Sequence, residues 1–460
     1  MKLFVEDREF YKKAAVIAIP IALQSAISIG VNLADTVMVG TLGETTLSAT
    51  ALANQFVNIF QICCMGLGMG AGVLTSRYWG MKDNISLKKA VTLMLRLCTV
   101  LAIVFFMIPT ILAPAGLMRL YTADEAVIAE GIRYFKWMIP CYLLQGLALT
   151  STIVLRSVGQ AKIPLYSAIG AFFVNIFFNW IFIFGKLGMP RMGIEGAGAG
   201  TVIARTFEFV TVCGYMFVID KNMKYRFKDI FMPCKDLLKT YITISLPVLI
   251  SDTLLSLGNS TVAMVMGHIG RNFVSANSIT VVTQQLSTVL IQGICQASCI
   301  MTGHSLGEGN REKTMAQAWT FLGLAMVVGL VGAVIIILIS DPVIACYNIT
   351  PETEAIAHEL MLSIAFIVVF QSMNSILTKG VLRGGGDTKF LMAADILFLW
   401  IMSIPLGALA GLVWDLDAFW VYFFLKIDQV VKSVWCIFRL RSGKWIKTIN
   451  RAGQTADSPT

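Results

Sequence analysis

The chain has 460 residues, of which 57% are hydrophobic and 14% are charged, and its formal net charge is +9. Soluble domains carry about 25% charged residues, so this composition excludes an ordinary soluble protein and indicates an integral membrane protein. The 10 cysteines fall mostly in apolar stretches and lack the histidine partners and spacing of a zinc site, so neither a disulfide framework nor a resident metal is expected.

Apolar stretches follow one another along the chain, each long enough to cross the hydrocarbon core of a bilayer as a helix. They cover residues 14–40, 49–75, 90–112, 132–155, 163–185, 194–218, 240–266, 275–302, 318–340, 357–382, 389–411 and 415–437. The expected fold class is therefore an all-α integral membrane protein with twelve transmembrane helices.

Lysine and arginine residues are concentrated in alternate loops between these helices. If the N-terminus is cytoplasmic, the inner loops and the termini hold about 25 of them and the outer loops hold 5. This strong positive-inside bias predicts a multi-pass protein of the cell membrane with both termini in the cytoplasm. The positive charge is then explained by topology and by contact with anionic membrane lipid, and no nucleic-acid partner is expected.

A long repeat connects the two halves of the chain. The first helix contains IPIALQSAISIGVNLADTVMVGTLG from Ile19, and the similar LPVLISDTLLSLGNSTVAMVMGHIG starts at Leu246. The turns L-R-x-x-G-x-x-K at 155–162 and 382–389 are separated by the same offset. Because each half holds an even number of helices, we expect two six-helix lobes related by a pseudo-twofold axis along the membrane normal. The expected divisions are an N-terminal lobe at 1–218, a cytoplasmic linker at 219–239, a C-terminal lobe at 240–440 and a cytoplasmic tail at 441–460.

The first helix also carries the most unusual charge of the chain, Asp35. Its counterpart in the repeat is Val262, so the acid is not duplicated. A charge at bilayer depth is unfavourable by several kcal/mol and is a functional hypothesis by default. Pro20 precedes Asp35 in the same helix, and Pro247 occupies the matching place in the seventh helix. Both prolines are candidates for bending their helices, since proline removes a backbone hydrogen bond.

Polar residues from two other helices of the same half are candidates to join Asp35. Asn175 and Asn179 in the fifth helix have i, i+4 spacing and share one face, and the sixth helix offers Thr201. One carboxylate, two amides and a hydroxyl supply oxygen ligands for Na⁺, and the same atoms would stabilise a protonated aspartic acid. The residues alone leave both ions open.

These motifs resemble the multidrug and toxic compound extrusion (MATE) family. The resemblance rests on the pattern P-x14-D-T-x-M-V-G-x-L-G, the small-residue ridge of helix 2, the L-R-x-x-G-x-x-K turns and the six-plus-six layout, and it covers residues 10–445. It implies a monomeric secondary antiporter without a cofactor that exports small-molecule drugs or organic cations in exchange for H⁺ or Na⁺. In that family an aspartate, an asparagine with an acid one helical turn further on, and a threonine form a cation-responsive cluster, which Asp35, Asn175, Asn179 and Thr201 resemble. Asn179 stands where an acid is common, which disfavours Na⁺.

The C-terminal half offers fewer acids for a second site. Asp252 resembles an acid that many members of the family carry shortly after the proline of helix 7. In helix 10, where some members carry another acid, this chain has Gln371 and Asn374. These three residues are candidates for a substrate site or a second-lobe ion site. Asp395 in helix 11 is expected to pair with Lys379 or Lys389.

Three other functions are weighed against an antiporter. A flippase of lipid-linked saccharides from the same superfamily would need a more cationic central cavity. A polytopic membrane enzyme would need His, Asp or Glu clustered near one membrane surface, and the chain has only 3 histidines, which are scattered. A channel would not explain two proline-bearing homologous helices, each with an acid.

Overall fold

The computed structural model describes residues 4–119, 121–345, 347 and 349–447, with the backbone alone for 109–113 and 286. The described elements of regular structure are helices. Those of the first half are α1 Arg8–Gly40, α2 Glu44–Gly80, α3 Asn84–Arg119, α4 Glu125–Met138, α5 Cys141–Ser157, α6 Lys162–Phe184 and α7 Ile194–Gly214, which continues as a π-helical turn at Tyr215–Ile219. A short 3₁₀ helix follows at Phe227–Phe231.

The second half begins with three long helices and ends with shorter ones. They are α8 Lys235–Ile269, α9 Arg271–Gly307, α10 Arg311–Ala345, α11 Pro351–Ser375, α12 Thr388–Asp395, α13 Ile404–Leu412, α14 Ala418–Leu425 and α15 Ile427–Ser442. A π-helical stretch, Ile376–Leu382, extends α11, and another, Ile396–Ser403, connects α12 with α13. π-Helical turns are rare and are frequently found at functional sites.

The expected all-helical membrane architecture is confirmed, and each predicted segment overlaps helix. Within the described residues, 9 helices are long and apolar enough to cross a membrane, and the number reaches 11 if two bent pairs each form one span. One such pair is α4 with α5, which meet at 57°. The last predicted segment, 415–437, is divided into α14 and α15 by a break at Lys426.

The described residues pack into two compact units. The C unit, as we name it, comprises residues 4–22, 79–82 and 250–447, and the N unit comprises residues 23–78 and 83–249. These units differ from the lobes expected from the sequence, because α1 and α8 are each divided between them. Both divisions fall shortly after a proline, Pro20 in α1 and Pro247 in α8. The expected tail at 441–460 lies outside the described residues from 448 onward.

Glycines in α2 allow close helix contacts inside the N unit, as their spacing predicts. A Cβ added at Gly66 would lie 2.8 Å from the Leu249 Cα atom, and one at Gly70 would overlap the Ser245 side chain. Both neighbours belong to α8. The part of α8 that lies in the N unit is therefore packed tightly against α2.

The polar segment before α8 is folded onto α3. The Asp229 carboxylate accepts a hydrogen bond from Lys88 Nζ at 2.8 Å, and the Tyr225 and Thr92 hydroxyls lie 2.9 Å apart. The Arg96 guanidinium donates to the Ile230 carbonyl at 2.6 Å. The expected linker is thus an ordered part of the N unit.

A tryptophan near the end of the described residues is buried in the C unit. Trp445 is fully buried, and its indole N–H donates to the Leu440 carbonyl at 3.1 Å. Its ring covers Gly385, where a Cβ would overlap it, and the Lys447 N–H donates to the Gly385 carbonyl at 3.0 Å. Gly385 belongs to the repeated turn at 382–389, so this turn is covered by the residues that follow α15.

Candidate functional site

The structure brings Asp35 together with both predicted asparagines. Asn179 Nδ2 donates to Asp35 Oδ1 at 2.7 Å and to Asn175 Oδ1 at 3.3 Å. Asn175 and Asn179 are 3% and 1% exposed, and they share one face of α6, as their spacing predicts. The carboxylate on α1 is therefore held by a buried amide pair.

Helix α7 completes the surroundings of Asp35. Thr201 lines the same cavities as Asp35, and its hydroxyl donates to the Ala197 carbonyl at 2.9 Å, so its oxygen lone pairs remain able to accept. Its neighbour Gly200 lies against Asn179, because a Cβ there would overlap Asn179 Oδ1. That amide oxygen is buried and has no hydrogen-bond partner among the described atoms.

Two cavities in the N unit meet at Asp35. The first has a volume of about 340 Å³ and the second about 330 Å³. The polar residues that line both are Asn32, Asp35, Gln61, Gln145, Thr201 and Arg205. Volumes of this size fall in the range of small-molecule sites, so the carboxylate faces space in which a ligand or water can be held.

The first cavity contains charges that sequence reasoning did not place there. Arg205 forms an ion pair with Glu208 at 2.8 Å, as their spacing predicts. Arg156, at the end of α5, donates to Gln24 Oε1 at 2.5 Å. The sequence shows Arg156 as part of the repeated turn, but nothing in it indicates that this residue lines a cavity with α1.

The candidates of the C-terminal half are engaged in separate contacts. Arg383 binds the Asp252 carboxylate at 3.1 and 3.5 Å, so the Asp252 charge is already compensated. Gln371 accepts from Gln284 at 3.0 Å, and Asn374 donates to Gln429 at 2.7 Å. Among the described contacts, none joins Asp252 to either amide.

A buried ionic group in the C unit corrects the expected partner of Asp395. Lys432 Nζ lies 2.7 Å from Asp395 Oδ1 and 3.5 Å from Asp428 Oδ2. The prediction that Lys379 or Lys389 would pair with Asp395 is therefore wrong. Ser251 donates a short hydrogen bond to Asp395 as well. The sequence contained Lys432 and Asp428, but their inward orientation depends on how the broken last segment packs.

The described residues contain no group of three or more His, Cys, Asp or Glu side chains suited to a metal ion. An Na⁺ ion at Asp35 would rely instead on amide and hydroxyl oxygens. The fold and this site define a multi-pass helical membrane protein with internally repeated halves and a polar, acid-bearing cavity.

Comparison with known proteins places the chain in a family. The MatE family model matches residues 20–181 and again residues 247–409. The chain therefore belongs to the MatE family and is a MATE-type transporter, not an enzyme. The two matches begin at the equivalent prolines Pro20 and Pro247, which agrees with the repeat.

Individual relatives match nearly the whole chain at low identity. A Thermotoga maritima protein named "Probable multidrug resistance protein NorM" is 24% identical over 96% of this chain and 94% of its own length. A protein of the same name from Agrobacterium fabrum is 25% identical over 88% of this chain and 89% of its own length.

Solved structures agree on the fold. A Vibrio cholerae MATE transporter aligns with a TM-score of 0.86 at 16% identity, over 94% of this chain and 97% of that one. A MOP superfamily transporter from Pyrococcus furiosus aligns with a TM-score of 0.84 at 20% identity, over 95% and 97% of the two chains.

Proposed function

We propose that this protein is a secondary antiporter that exports amphipathic, often cationic organic compounds by alternating access, in exchange for inward H⁺. The single observation that carries the proposal is the position of Asp35, which lines both polar cavities and is held by the buried Asn179. Asp35, Asn175, Asn179 and Thr201 are the proposed coupling site. The names of the relatives from Thermotoga maritima and Agrobacterium fabrum support drug-like substrates.

Two features of the coupling site favour H⁺ over Na⁺. Asn179 presents its NH₂ group to Asp35, while its amide oxygen is buried without a partner among the described atoms. If Asp35 takes up a proton and the amide turns over, the carboxylic acid donates to that oxygen and both groups are satisfied. The second feature is that the partner of Asp35 is the neutral Asn179, so a metal cation would find one carboxylate at the site instead of two.

Exchange follows from the change in charge at Asp35. An ionised carboxylate in a cavity of low dielectric constant attracts a cationic compound, and protonation removes this attraction. Protonation therefore supplies the difference in binding free energy between two states that coupling requires. We infer that α1 bends near Pro20, and α8 near Pro247, as the states interconvert, because each helix lacks a backbone hydrogen bond there.

The proposal also covers the oligomeric state, the membrane location and the topology of the transporter. We infer a monomer in the cell membrane, in contact with lipid, with both termini cytoplasmic and two six-helix lobes related by a pseudo-twofold axis. The support is the charge bias of the loops and the repeat. Cysteine labelling of the polar segment 220–234 from the cytoplasmic side alone is the expected result. Labelling of this segment only from outside would contradict the orientation.

A lipid-linked saccharide flippase is the second candidate, and the cavity charge disfavours it. The charged residues that line the first cavity are Asp35, Arg156, Arg205 and Glu208, whose formal charges sum to zero. A cavity for polyanionic pyrophosphate headgroups would require a net positive charge.

The test is efflux from proteoliposomes that contain wild-type protein or Asp35→Asn. Ethidium efflux by the wild type should follow an imposed pH gradient and not an Na⁺ gradient. Asp35→Asn keeps the shape of the side chain and should reduce gradient-driven efflux to the background of empty vesicles, although the protein inserts and folds normally. Efflux driven by Na⁺ alone would contradict H⁺ coupling, and efflux at the wild-type rate by a folded Asp35→Asn variant would contradict the role of Asp35.

A further inference from the structure

The repeat allows Arg156 of the N unit to be compared with its counterpart in the C unit, Arg383. The two arginines hold the same place in the repeated turn, and the same offset relates Ser25 in α1 to Asp252 in α8. In the C unit the carboxylate of Asp252 binds the guanidinium of Arg383 at 3.1 Å. In the N unit the residue equivalent to Asp252 is Ser25, so Arg156 has no carboxylate at the position where Arg383 has one.

The contacts of Arg156 are with a neutral partner. Its Nη2 donates to Gln24 Oε1 at 2.5 Å, and its buried Nε has no hydrogen-bond partner among the described atoms. Glu208 lines the same cavity but already forms an ion pair with Arg205 at 2.8 Å. An ion inside a protein is stabilised mainly by an opposite charge with good geometry, which an amide oxygen does not supply.

Gln24, Ser25 and Arg156 all line the first cavity, so a ligand held there lies beside the guanidinium group. We propose that these three residues form a subsite for an anionic group, a carboxylate, of the transported compound. Guanidinium and carboxylate form charge-assisted, bidentate hydrogen bonds, and arginine is preferred over lysine where this planar geometry is needed. The ligand's carboxylate takes the place that Asp252 occupies in the C unit. This inference rests on the proposed export function and defines its substrates more narrowly.

The rest of the cavity indicates what accompanies the carboxylate. Met65, Leu149 and Phe172 give it an apolar wall. Asp35 follows Gln24 on the same helix, α1. The two residues are about three helical turns apart, which corresponds to about 16 Å along the helix axis. An elongated zwitterion, with its carboxylate at Arg156 and its amine directed toward Asp35, matches this distribution and leaves the zero net charge of the cavity unchanged.

The experiment compares two probes that differ in one charge, a fluorescent piperazinyl quinolone carboxylic acid and its methyl ester. Binding is measured by fluorescence with purified protein in nanodiscs, without any ion gradient. Arg156→Gln should raise the Kd of the acid by about tenfold or more, the effect of losing a hydrogen bond to a charged group, and should leave the Kd of the ester unchanged. An equal change for both probes, or no change for either, would overturn the proposal.

A second pair of variants protects the test against misfolding of Arg156→Gln. Ser25→Asp introduces the acid found at the equivalent position in the C unit, and Ser25→Asn is a control of the same size without the charge. Ser25→Asp should weaken binding of the acid by about tenfold or more, because its carboxylate occupies the guanidinium. Ser25→Asn should weaken binding of the acid much less than Ser25→Asp does, because it adds similar volume without a carboxylate. If Ser25→Asp and Ser25→Asn bind the acid equally well, the proposed subsite is wrong.

The binding assay tests the anion subsite and the efflux assay tests the antiport, so either proposal can be refuted without the other. If wild-type vesicles show no gradient-driven efflux but the acid binds in an Arg156-dependent way, the proposed antiport is wrong and the anion subsite stands. If efflux follows the pH gradient but the acid and the ester respond alike to all variants, the antiport stands and the subsite is wrong.

Discussion

Replacing Asp252 with asparagine should destabilise the C unit by leaving Arg383 without its counter-ion. The Arg383 side chain is 5% exposed and the Asp252 side chain 19% exposed, and two contacts at 3.1 and 3.5 Å join them. Removing one partner of a buried ion pair costs about 3–5 kcal/mol, because the remaining charge stays buried. Since Asp252 is partly accessible, we expect Asp252→Asn to lower the free energy of unfolding by about 3 kcal/mol, near the lower end of this range.

The measurement is equilibrium unfolding of purified protein in mixed micelles, with the double variant Asp252→Asn/Arg383→Gln as the control. Because the double variant removes both charges, it should recover most of the loss. Together with Arg383→Gln alone, these variants complete a double-mutant cycle that gives the coupling energy. Efflux per folded molecule should decline equally for cationic and neutral compounds. An unchanged free energy of unfolding for Asp252→Asn would refute this reasoning. A selective loss of cationic compounds would instead favour Asp252 as a counter-charge for substrate.

The remaining predictions concern the coupling site and the polar segment before α8. Gly200→Ala should reduce pH-driven ethidium efflux in proteoliposomes about as much as Asn179→Ala does, because the added Cβ overlaps Asn179 Oδ1 and displaces the amide from Asp35. Asn179→Asp should make efflux depend on an Na⁺ gradient, because it places a second carboxylate beside Asp35. Partial burial opposes ionisation of Asp229, but the Lys88 ammonium at 2.8 Å outweighs it and holds the pKa of Asp229 below its ordinary value. The ion pair therefore contributes fully to stability above the ordinary pKa of an aspartate, and this contribution is lost as the pH falls through the lowered pKa of Asp229. Proteolysis of the segment 220–234 should accelerate in acid for this reason. Asp229→Asn should remove this pH dependence.

Controls for these predictions come from the same elements. A Cβ at Gly214, also in α7, would meet nothing within 4 Å, so Gly214→Ala should transport at the wild-type rate. Equal losses in Gly214→Ala and Gly200→Ala would show that the effect arises from the helix and not from Asn179. Efflux by Asn179→Asp that is still indifferent to Na⁺ would count against the coupling site as an ion site. Proteolysis of the wild-type segment that does not change with pH would contradict the role of the Asp229 ion pair.

Hydropathy and helical spacing were sufficient to predict where the helices lie in the sequence and which residues share a face of one helix. The predicted helical segments followed from runs of apolar residues. The i, i+4 spacing of Asn175 and Asn179 was enough to place both on one face of α6, and the structure shows that this face is directed toward Asp35. The repeat was visible because the offset between the halves is constant, and the matches to residues 20–181 and 247–409 confirm it.

Contacts between helices could not be predicted in the same way. Arg156 donates to Gln24, 132 positions away, and Arg383 pairs with Asp252, 131 positions away. Such pairs depend on how each helix is rotated about its axis, which hydropathy does not encode. The partner of Asp395 was predicted wrongly for this reason, since Lys432 lies in a segment whose orientation depends on the break at Lys426. The division of α1 and α8 between compact units was also not predictable, because neither helix is interrupted there.

The burial of Trp445 has a practical consequence for preparing the protein. Its ring fills the space over Gly385, and a large buried aromatic side chain contributes about 3–5 kcal/mol that truncation would remove. A shortened version that ends at the last residue of α15, Ser442, would resemble a natural domain boundary in the sequence but would leave the turn at 382–389 uncovered. Affinity tags and fluorescent fusions should therefore be attached beyond residue 447, with a flexible spacer, so that the indole can reach its site during folding.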